Sequence, residues 1–281
     1  MTRPIHPACG VDMGATLAKV ALRLKPGPPE LRLLPVQDLE SVLRALGGAR
    51  KGTLGLTGGG GTGLALRFTE AASVLKVNEF AAWGAGARAL LRRSSADLDE
   101  PFLLVSVGTG TSAMLVDGMS VSRVGGTALG GGTALGLGRA LLGPIEFDDL
   151  CNLARRGSRR RVDLLVSDIY GPGQIPLKGD LTAANFGRLA QSGEATLEPA
   201  DLAAGVMGLV GENVALITAG LAVSARVRPI VFAGSTLRGN SVLAEVLLGV
   251  TALLGRQSII LEDGEFCGAL GALELAARQE P

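Results

Sequence analysis

The chain has 281 residues, 47% of them hydrophobic and 19% charged, so it is long enough to bury a large core without disulfides or metal ions. Its 27 Lys and Arg residues nearly balance its 26 Asp and Glu residues, which argues against a nucleic acid or a membrane surface as partner. The cysteines Cys9, Cys151 and Cys267 follow neither a disulfide nor a metal-binding spacing, and we expect a reduced, cytoplasmic protein.

Two regions of the chain predict the same pattern, a hairpin with a Gly/Thr turn followed by further strands and helices. In the first region the predicted elements are a hairpin at 9–24, strands at 31–36 and 52–56, and helices at 38–46 and 78–93. In the second they are strands at 102–107, 113–116, 120–123, 229–233 and 258–261, and helices at 132–142, 147–156, 199–226, 240–253 and 266–277. The polar residues 94–100 predict a domain boundary, with residues 1–97 in one half and 98–281 in the other.

Three details refine this pattern. Asn78 is the expected N-cap of the helix that follows it. The Gly- and Pro-rich segment 170–180 predicts irregular structure. The apolar segment 202–225 contains Glu212 and Asn213, so it predicts a buried helix and not a membrane span.

The two Gly/Thr turns predict the function. Residues 11–16, Val-Asp-Met-Gly-Ala-Thr, match residues 107–112, Val-Gly-Thr-Gly-Thr-Ser. Such a turn brings backbone N–H groups and hydroxyls close to an anion, and the glycine loop 130–132, which opens a helix, adds free N–H donors and the positive end of the helix dipole. Two such hairpins indicate two related α/β halves that close on ATP from both sides.

Other motif-based functions are excluded by the residues present. No G-x-x-x-x-G-K-[ST] sequence occurs, so the chain is not a P-loop enzyme. The only histidine, His6, lies in a predicted tail, which excludes a histidine-based triad or metal site. The loop 130–132 lacks the spacing and the following acidic residue of a Rossmann site.

Several blocks of the sequence together resemble one family. They are VDMGATLAK at 11–19, LTGG at 56–59, NEF at 78–80, VGTGTS at 107–112 and GDLTAANFG at 179–187. In this order the blocks resemble the type II (eukaryotic-like) pantothenate kinases of the acetate/sugar kinase and actin superfamily. The last block is specific to that family, whereas glycine turns occur throughout the superfamily. The resemblance implies an α/β protein of two duplicated ribonuclease H-like (actin-like ATPase) domains with ATP in the cleft between them.

The resemblance also implies an activity and a set of site residues. The implied reaction transfers the γ-phosphate of ATP to the 4'-hydroxyl of pantothenate, the first step of coenzyme A biosynthesis. Glu79 matches the catalytic base, at a helix N-terminus where the dipole stabilises negative charge. Asp12 would hold Mg²⁺, and Ser112 and Arg123 would contact pantothenate, Arg123 through a fork that can bind both carboxylate oxygens. The implied ATP contacts are Asp12, Gly14, Thr16, Lys19, Thr109, Gly131, Gly132, Thr133, Ala134, Leu135, Phe147 and Ser235. The family further implies a homodimer.

The chain departs from the family pattern at two positions. Ala15 stands where the pattern has a second glycine, and its methyl group could weaken the approach of a phosphate. Phe147 stands where bacterial relatives commonly have tyrosine. Two other functions stay open at this point: a kinase of another hydroxylated substrate such as an amino sugar, and a non-catalytic sensor of ATP or acyl-coenzyme A. The site residues also have purely structural interpretations. In these, Glu79 is an ordinary glutamate in the first turn of a helix, Lys19 is an exposed lysine on a strand, and Arg123 forms a structural salt bridge.

Overall fold

The computed structural model describes residues 8–45, 47, 52–60, 73–94, 98, 101–176, 178–191 and 197–278. The strands of the first sheet are β1 (Ala8–Met13), β2 (Leu17–Arg23), β3 (Glu30–Pro35), β4 (Thr53–Thr57) and β5 (Ser73–Lys76). Those of the second are β6 (Phe102–Val107), β7 (Thr111–Asp117), β8 (Ser120–Thr127), β11 (Pro229–Ala233) and β12 (Gln257–Ile260). A short pair, β9 (Leu164–Leu165) and β10 (Thr182–Ala184), stands apart from both sheets.

The two large sheets have the same topology. Their strand orders are β3-β2-β1-β4-β5 and β8-β7-β6-β11-β12. In each, three consecutive strands pair antiparallel, and the first of them is flanked on its other side by two parallel strands. The α/β duplication predicted from the two hairpins is therefore confirmed.

Helices separate and cover the two sheets. They are α1 (Leu39–Ala45), α2 (Glu79–Arg93), α3 (Gly131–Leu142), α4 (Phe147–Ala154), α5 (Val166–Ile169), α6 (Pro199–Ser224), α7 (Ser241–Leu253) and α8 (Cys267–Ala277). The side chains of α2 and α8 form one hydrophobic cluster with residues of both sheets. The outer face of the first sheet packs on α1, and that of the second on α3, α4, α6 and α7. The two sheets therefore sandwich α2 and α8.

The predicted elements agree with these bounds to within a few residues, but three parts were not foreseen: β5, the β9–β10 pair and α5. Strand β5 is a short, largely exposed edge strand without a clear apolar alternation. The β9–β10 pair, with strands of two and three residues, and the four-residue helix α5 flank the Gly- and Pro-rich segment 170–180 and are too short for an apolar periodicity to mark them. The predicted division after residue 97 falls at residues 95–97, which lie outside the described part of the chain. It remains a prediction, and α8, from the end of the chain, packs on the first sheet.

Helix α6 is long and apolar enough to meet the length and hydropathy requirements of a membrane span. Core helices of soluble proteins meet the same requirements, and 56% of its most apolar window is buried in this fold. Ala203, Val206, Val210 and Val214 are fully buried against the second sheet and its neighbouring helices. The prediction that this segment forms a buried helix is confirmed for this face.

The crossing of α2 and α8 depends on a glycine. A Cβ atom built on Gly271 would overlap the backbone carbonyl of Ala82, which belongs to the facing helix and cannot move aside alone. We expect Gly271→Ala to lower the free energy of unfolding by about 3 kcal/mol, the upper end of the usual overpacking cost. Urea unfolding followed by circular dichroism measures this change.

Gly249→Ala is the matched control, because Gly249 lies inside α7 and a Cβ there would meet no atom within 4 Å. Alanine is the better helix former, so this variant should be more stable by about 0.5–1 kcal/mol. A Gly271→Ala midpoint at or above that of the wild type would contradict the close crossing of the two helices.

Candidate active site

A cleft of about 580 Å³ lies where the two halves meet. From the first half it is lined by the β1–β2 turn, Lys19 and the first turns of α2. From the second it is lined by the β6–β7 turn, the starts of α3 and α4, and the segment that follows β11. Eleven of the site residues predicted from the sequence line this cleft: Asp12, Gly14, Thr16, Lys19, Glu79, Thr109, Gly131, Gly132, Leu135, Phe147 and Ser235.

Asp12 lies at the floor of the cleft, where tight packing fixes its carboxylate. It is 3% exposed and pairs in register with Lys19 on β2. A Cβ atom on Gly58 would come 2.7 Å from Asp12 Oδ1, and one on Gly268 would overlap Oδ2. Gly58 also has φ of +82°, which favours glycine. Gly58, which belongs to the family block at 56–59, and Gly268 therefore make room for this carboxylate.

The electrostatics of the floor distinguish Asp12 from an ordinary aspartate. Burial raises the pKa of its carboxyl, the Lys19 ammonium opposes this, and the negative charge of Glu79 adds to the rise. Asp12 and Glu79 both line the cleft, so the charge of one acts on the pKa of the other. Asp12 is thus a carboxylate whose charge is costly until a cation faces it.

The chemistry of the floor fits a magnesium ion. The Asp12 carboxylate accepts no hydrogen bond from the described part of the chain. Thr57, its register partner on β4, is 3% exposed, and its buried hydroxyl has no hydrogen-bond partner there either. Oxygen ligands, with water completing the shell, are what Mg²⁺ requires. An unpaired carboxylate beside an unpaired hydroxyl provides such a place.

The β1–β2 turn tolerates Ala15. No residue of the turn has positive φ, so a methyl group at position 15 meets no backbone strain. The turn is closed by a 3.2 Å hydrogen bond from the Gly14 N–H to the Leu17 carbonyl. A Cβ on Gly14 would lie 2.9 Å from Lys19 Nζ, which places the ammonium group directly over this turn.

The β6–β7 turn and the start of α3 form one unit. The N–H groups of Gly131 and Gly132 donate to the carbonyls of Gly108 and Thr109, at 2.8 and 3.0 Å. The Thr236 hydroxyl donates to the same Gly108 carbonyl. The expectation that this glycine loop supplies free N–H donors is therefore wrong for these two groups, because the loop uses them to hold the second turn in place.

Glu79 begins α2 and faces the cleft. The Asn78 side chain accepts a 3.1 Å hydrogen bond from the Ala81 N–H, which confirms the predicted N-cap. Glu79 is exposed, and Trp83, one helical turn later, lines the same cleft while it is only 7% exposed. Trp83 is the chain's single tryptophan, so its fluorescence can report what enters the cleft.

Ser112 and Arg123 lie outside the cleft lining but next to one another. Ser112 pairs in register with Gly126, and a Cβ on Gly126 would come 2.9 Å from Arg123 Nη2. Arg123 is opposite Met114, whose side chain packs in the cluster that contains α2. Both residues therefore stand on the sheet face that carries α2.

Contacts along α2 set its register on β8. Arg88 donates to the Gly118 carbonyl, and Gly84, one turn nearer the start of the helix, packs against Val121. The next turn, which holds Glu79, therefore lies toward Arg123. This register directs the base candidate and the arginine candidate to the same end of the helix.

The lining differs from the predicted set in both directions. Thr133 and Ala134 are not part of it: the Thr133 hydroxyl donates to the Ala128 carbonyl, and Ala134 is fully buried in the core. The sequence analysis missed Trp83, Arg238 and Glu265. Helical spacing from Glu79 could have found Trp83, and the proximity of Arg238 to Ser235 in sequence was a weaker signal. No sequence signal marked Glu265.

Comparisons with known proteins identify the family. A sequence model of the Fumble family matches residues 40–274. The type II pantothenate kinase of Staphylococcus haemolyticus is 34% identical over 267 residues, which cover 95% of this chain and 98% of that relative. The chain belongs to the type II pantothenate kinase family. The resemblance drawn from the sequence blocks is thus confirmed, and ATP is the phosphoryl donor of such a kinase.

Solved structures show the fold of this type II pantothenate kinase family member. Component A of (R)-2-hydroxyglutaryl-CoA dehydratase from Acidaminococcus fermentans has a TM-score of 0.65 at 17% identity, covering 98% of this chain and 99% of its own. A ROK family glucokinase from Streptomyces griseus, solved with glucose and AMPPNP, has a TM-score of 0.60 at 12% identity, with coverages of 97% and 99%. The actin-like ATPase fold expected from the resemblance is confirmed.

Proposed function

We propose that the cleft is where this pantothenate kinase transfers the γ-phosphate of ATP to the 4'-hydroxyl of pantothenate, the first step of coenzyme A biosynthesis. One observation carries the assignment of the site. The cleft brings both Gly/Thr turns, the buried Asp12 and the exposed Glu79 together, although these residues are far apart in the sequence. Phosphoryl transfer requires this combination of positioning, charge neutralisation and a base.

Glu79 is the proposed catalytic base. Its carboxylate is exposed to the cleft, so it can accept the proton of the pantothenate hydroxyl as that oxygen attacks the γ-phosphate. The N-terminal end of α2, capped by Asn78, stabilises the negative charge that this role requires. The oxygen–phosphorus bond forms at the hydroxyl oxygen, and ADP leaves with the bonding electrons.

Asp12 and Lys19 are the proposed phosphate-side residues. Asp12 would hold Mg²⁺ directly or through water, with Thr57 beside it. The chemistry that Mg²⁺ supplies when bound is the neutralisation of charge on the β- and γ-phosphate oxygens. Lys19, whose ammonium lies over the β1–β2 turn, adds a point cation to the same end.

The remaining nucleotide contacts are proposed from the second half of the chain. Thr109, Gly131, Gly132, Leu135, Phe147 and Ser235 line the cleft and would contact ATP. Phe147 offers an aromatic face to the adenine base. Thr133 and Ala134 could contribute through their backbone, because the Thr133 hydroxyl and the Ala134 side chain are engaged elsewhere.

The assembly and location of the protein are also proposals. We infer a homodimer from the resemblance, and α6 supports it with an exposed apolar face in which Leu216 and Val223 are 52% and 59% exposed. We further infer a cytoplasmic enzyme without nucleic acid or membrane partners. The even charge balance and three buried free cysteines support that inference.

ADP release with Mg-ATP tests the proposed function. The assay compares pantothenate with N-acetylglucosamine and with no acceptor, while Trp83 fluorescence monitors nucleotide binding. Turnover that depends on pantothenate is the expected result. Turnover only with the sugar would instead indicate an amino-sugar kinase, and nucleotide binding without any turnover would indicate a sensor.

Substitution of Arg123 tests its proposed contact with pantothenate. If its guanidinium binds the pantothenate carboxylate, Arg123→Met should raise the KM for pantothenate about 10- to 100-fold, as expected for loss of a charged hydrogen bond. Arg123→Lys keeps the charge but not the two-pronged geometry. Its KM for pantothenate should therefore lie between those of the wild type and Arg123→Met. The KM for ATP should stay unchanged in both variants.

Arg228→Met is the control for the loss of an arginine, because Arg228 is exposed and lies outside the cleft lining. Its KM for pantothenate should match the wild type. An equal rise in both KM values for Arg123→Met would show that Arg123 supports the fold of the cleft and does not bind the acceptor.

A further inference from the structure

A second acidic residue faces the cleft and has no part in the proposed reaction. Glu265 lies in the one-turn 3-10 helix Gly264–Phe266 that leads into α8, and it lines the cleft while only 8% exposed. Hydrogen bonds from the Gly264 N–H to the Leu261 carbonyl, 3.1 Å, and from the Phe266 N–H to the Asp263 carbonyl, 2.9 Å, fix this turn. The backbone that carries Glu265 is therefore fixed, and the side chain is largely buried at the edge of the cleft.

Charged groups approach Glu265 from several elements. Lys19 comes from β2, and Arg238 follows the one-turn helix Ser235–Leu237. Asp263 lies in the same turn as Glu265, and Glu79 from α2 lines the same cleft. Of the other two packed elements, β11 contributes only apolar residues, and α8 contributes the thiol of Cys267, whose pKa is raised by burial and by the Glu265 charge.

These surroundings act on the pKa of Glu265 in both directions. Burial raises the pKa of Glu265 and the Asp263 charge raises it further, whereas the backbone N–H of Glu265 itself, Arg238 and Lys19 lower it. The net result is a pKa above the usual glutamate value. Lys19 and Arg238 are therefore the side chains that favour the ionised form of Glu265 in the open cleft.

A bound nucleoside triphosphate would change the charges that act on the pKa of Glu265. Its phosphates would draw the charges of Lys19 and Arg238 toward themselves, and would add negative charge on the open side of Glu265. Both changes favour the neutral carboxylic acid over the carboxylate. We propose that Glu265 takes up a proton from solvent when the phosphates of a nucleotide bind in this cleft.

The proposal rests on the proposed nucleotide site and has a thermodynamic consequence. If the complex binds a proton that the free protein lacks, nucleotide affinity must fall as pH rises. The loss approaches about tenfold in Kd per pH unit between the pKa values of Glu265 in the free and bound states. Glutamine at this position is always neutral, and would keep the tight-binding state at every pH.

Isothermal titration calorimetry tests the proposal. Mg-ATP is titrated, without pantothenate, into the full chain in two buffers of different ionisation enthalpy, so that the difference in heat counts protons. We expect the wild type to take up more protons than Glu265→Gln, by up to about one per nucleotide near neutral pH. Glu265→Gln should also bind ATP more tightly than the wild type in alkaline buffer.

Glu146→Gln is the matched control, because Glu146 also lines the cleft but its side chain is 80% exposed and paired with Arg139. Its proton count should equal that of the wild type. Equal counts for the wild type and Glu265→Gln would overturn the proton proposal while ATP binding, and so the proposed function, stands.

Two other outcomes are also decisive. Absence of ATP binding to the wild type would contradict the proposed function and the proposal that rests on it. If Glu265→Gln fails to fold, the pH dependence of the wild-type Kd for Mg-ATP decides: after correction for protonation of ATP itself, the Kd should rise with pH, and Glu146→Gln should show the same rise. A Kd that does not vary with pH after that correction would overturn the proposal.

Discussion

Glu79→Gln should abolish most of the turnover and leave nucleotide binding intact. The substitution keeps the size of the side chain and its place in the first turn of α2, but glutamine cannot accept the hydroxyl proton. Loss of a general base costs about 10²- to 10⁴-fold in rate, so we expect kcat to fall by this factor. The Kd for Mg-ATP, measured by Trp83 fluorescence, should change by less than about threefold, because the interaction lost belongs to the transition state.

The control for this variant is Glu245→Gln, which makes the same substitution at an exposed position of α7 outside the cleft lining. Its kcat should equal that of the wild type. A kcat for Glu79→Gln within a few-fold of the wild type would remove Glu79 from the role of base. A loss of ATP binding equal to the loss of kcat would instead assign Glu79 to the nucleotide site.

Asp12→Asn should lower kcat and raise the thermal stability of the nucleotide-free protein. The variant loses the carboxylate that would hold Mg²⁺, and we expect kcat with Mg-ATP to fall by at least about 100-fold, since metal ions supply several kcal/mol of charge stabilisation in such reactions. At the same time the variant removes a buried charge that the nucleotide-free protein must accommodate. The first effect is measured by ADP release and the second by thermal unfolding without nucleotide or magnesium.

The pH dependence of the stability gain follows from the raised pKa of Asp12. Burial raises this pKa in the folded state, so the unfolded chain releases the proton at lower pH than the folded chain does. Folding is therefore penalised once pH exceeds the ordinary aspartate value of about 3.9, and fully so above the raised pKa. The Tm of Asp12→Asn should exceed that of the wild type at neutral pH, and the difference should vanish in acid.

Asp38→Asn separates the effect of burial from the loss of any carboxylate. Asp38 is exposed before α1, and hydrogen bonds from the Ser41 side chain and backbone lower its pKa. Its replacement should therefore leave Tm unchanged or slightly lower, with normal turnover. A lower Tm for Asp12→Asn than for the wild type at neutral pH would contradict the cost assigned to the buried charge.

The sequence determined the fold to a large extent because its signals are local. Alternating apolar residues mark the strands, Asn78 is an N-cap whose partner is three residues away, and the two Gly/Thr turns repeat the same short pattern. Each signal depends on residues within one element, so each can be interpreted without knowledge of the rest of the chain. The family blocks extended this to the predicted site, since eleven of its fifteen residues line the cleft.

The other four predicted residues, Ser112, Arg123, Thr133 and Ala134, do not line the cleft. Thr133 and Ala134, at the start of α3, show why. Sequence placed Thr133 and Ala134 in the nucleotide loop, but the helix that begins at Gly131 turns the Ala134 side chain into the core. The direction of a side chain on a helix depends on what the helix packs against.

The raised pKa values of the carboxyl groups in the cleft arise from the tertiary structure. Asp12, Lys19 and Glu265 come from positions up to 253 residues apart, and the raised pKa values of the two acids depend on burial by elements that the sequence does not bring together. Desolvation and charge interactions act through space over a few ångströms, so they cannot be deduced from spacing along the chain. The family, the paired halves and the residue types of the site follow from the sequence alone, whereas the packing of α8 between the sheets determines which carboxylates line the cleft and how far burial raises their pKa values.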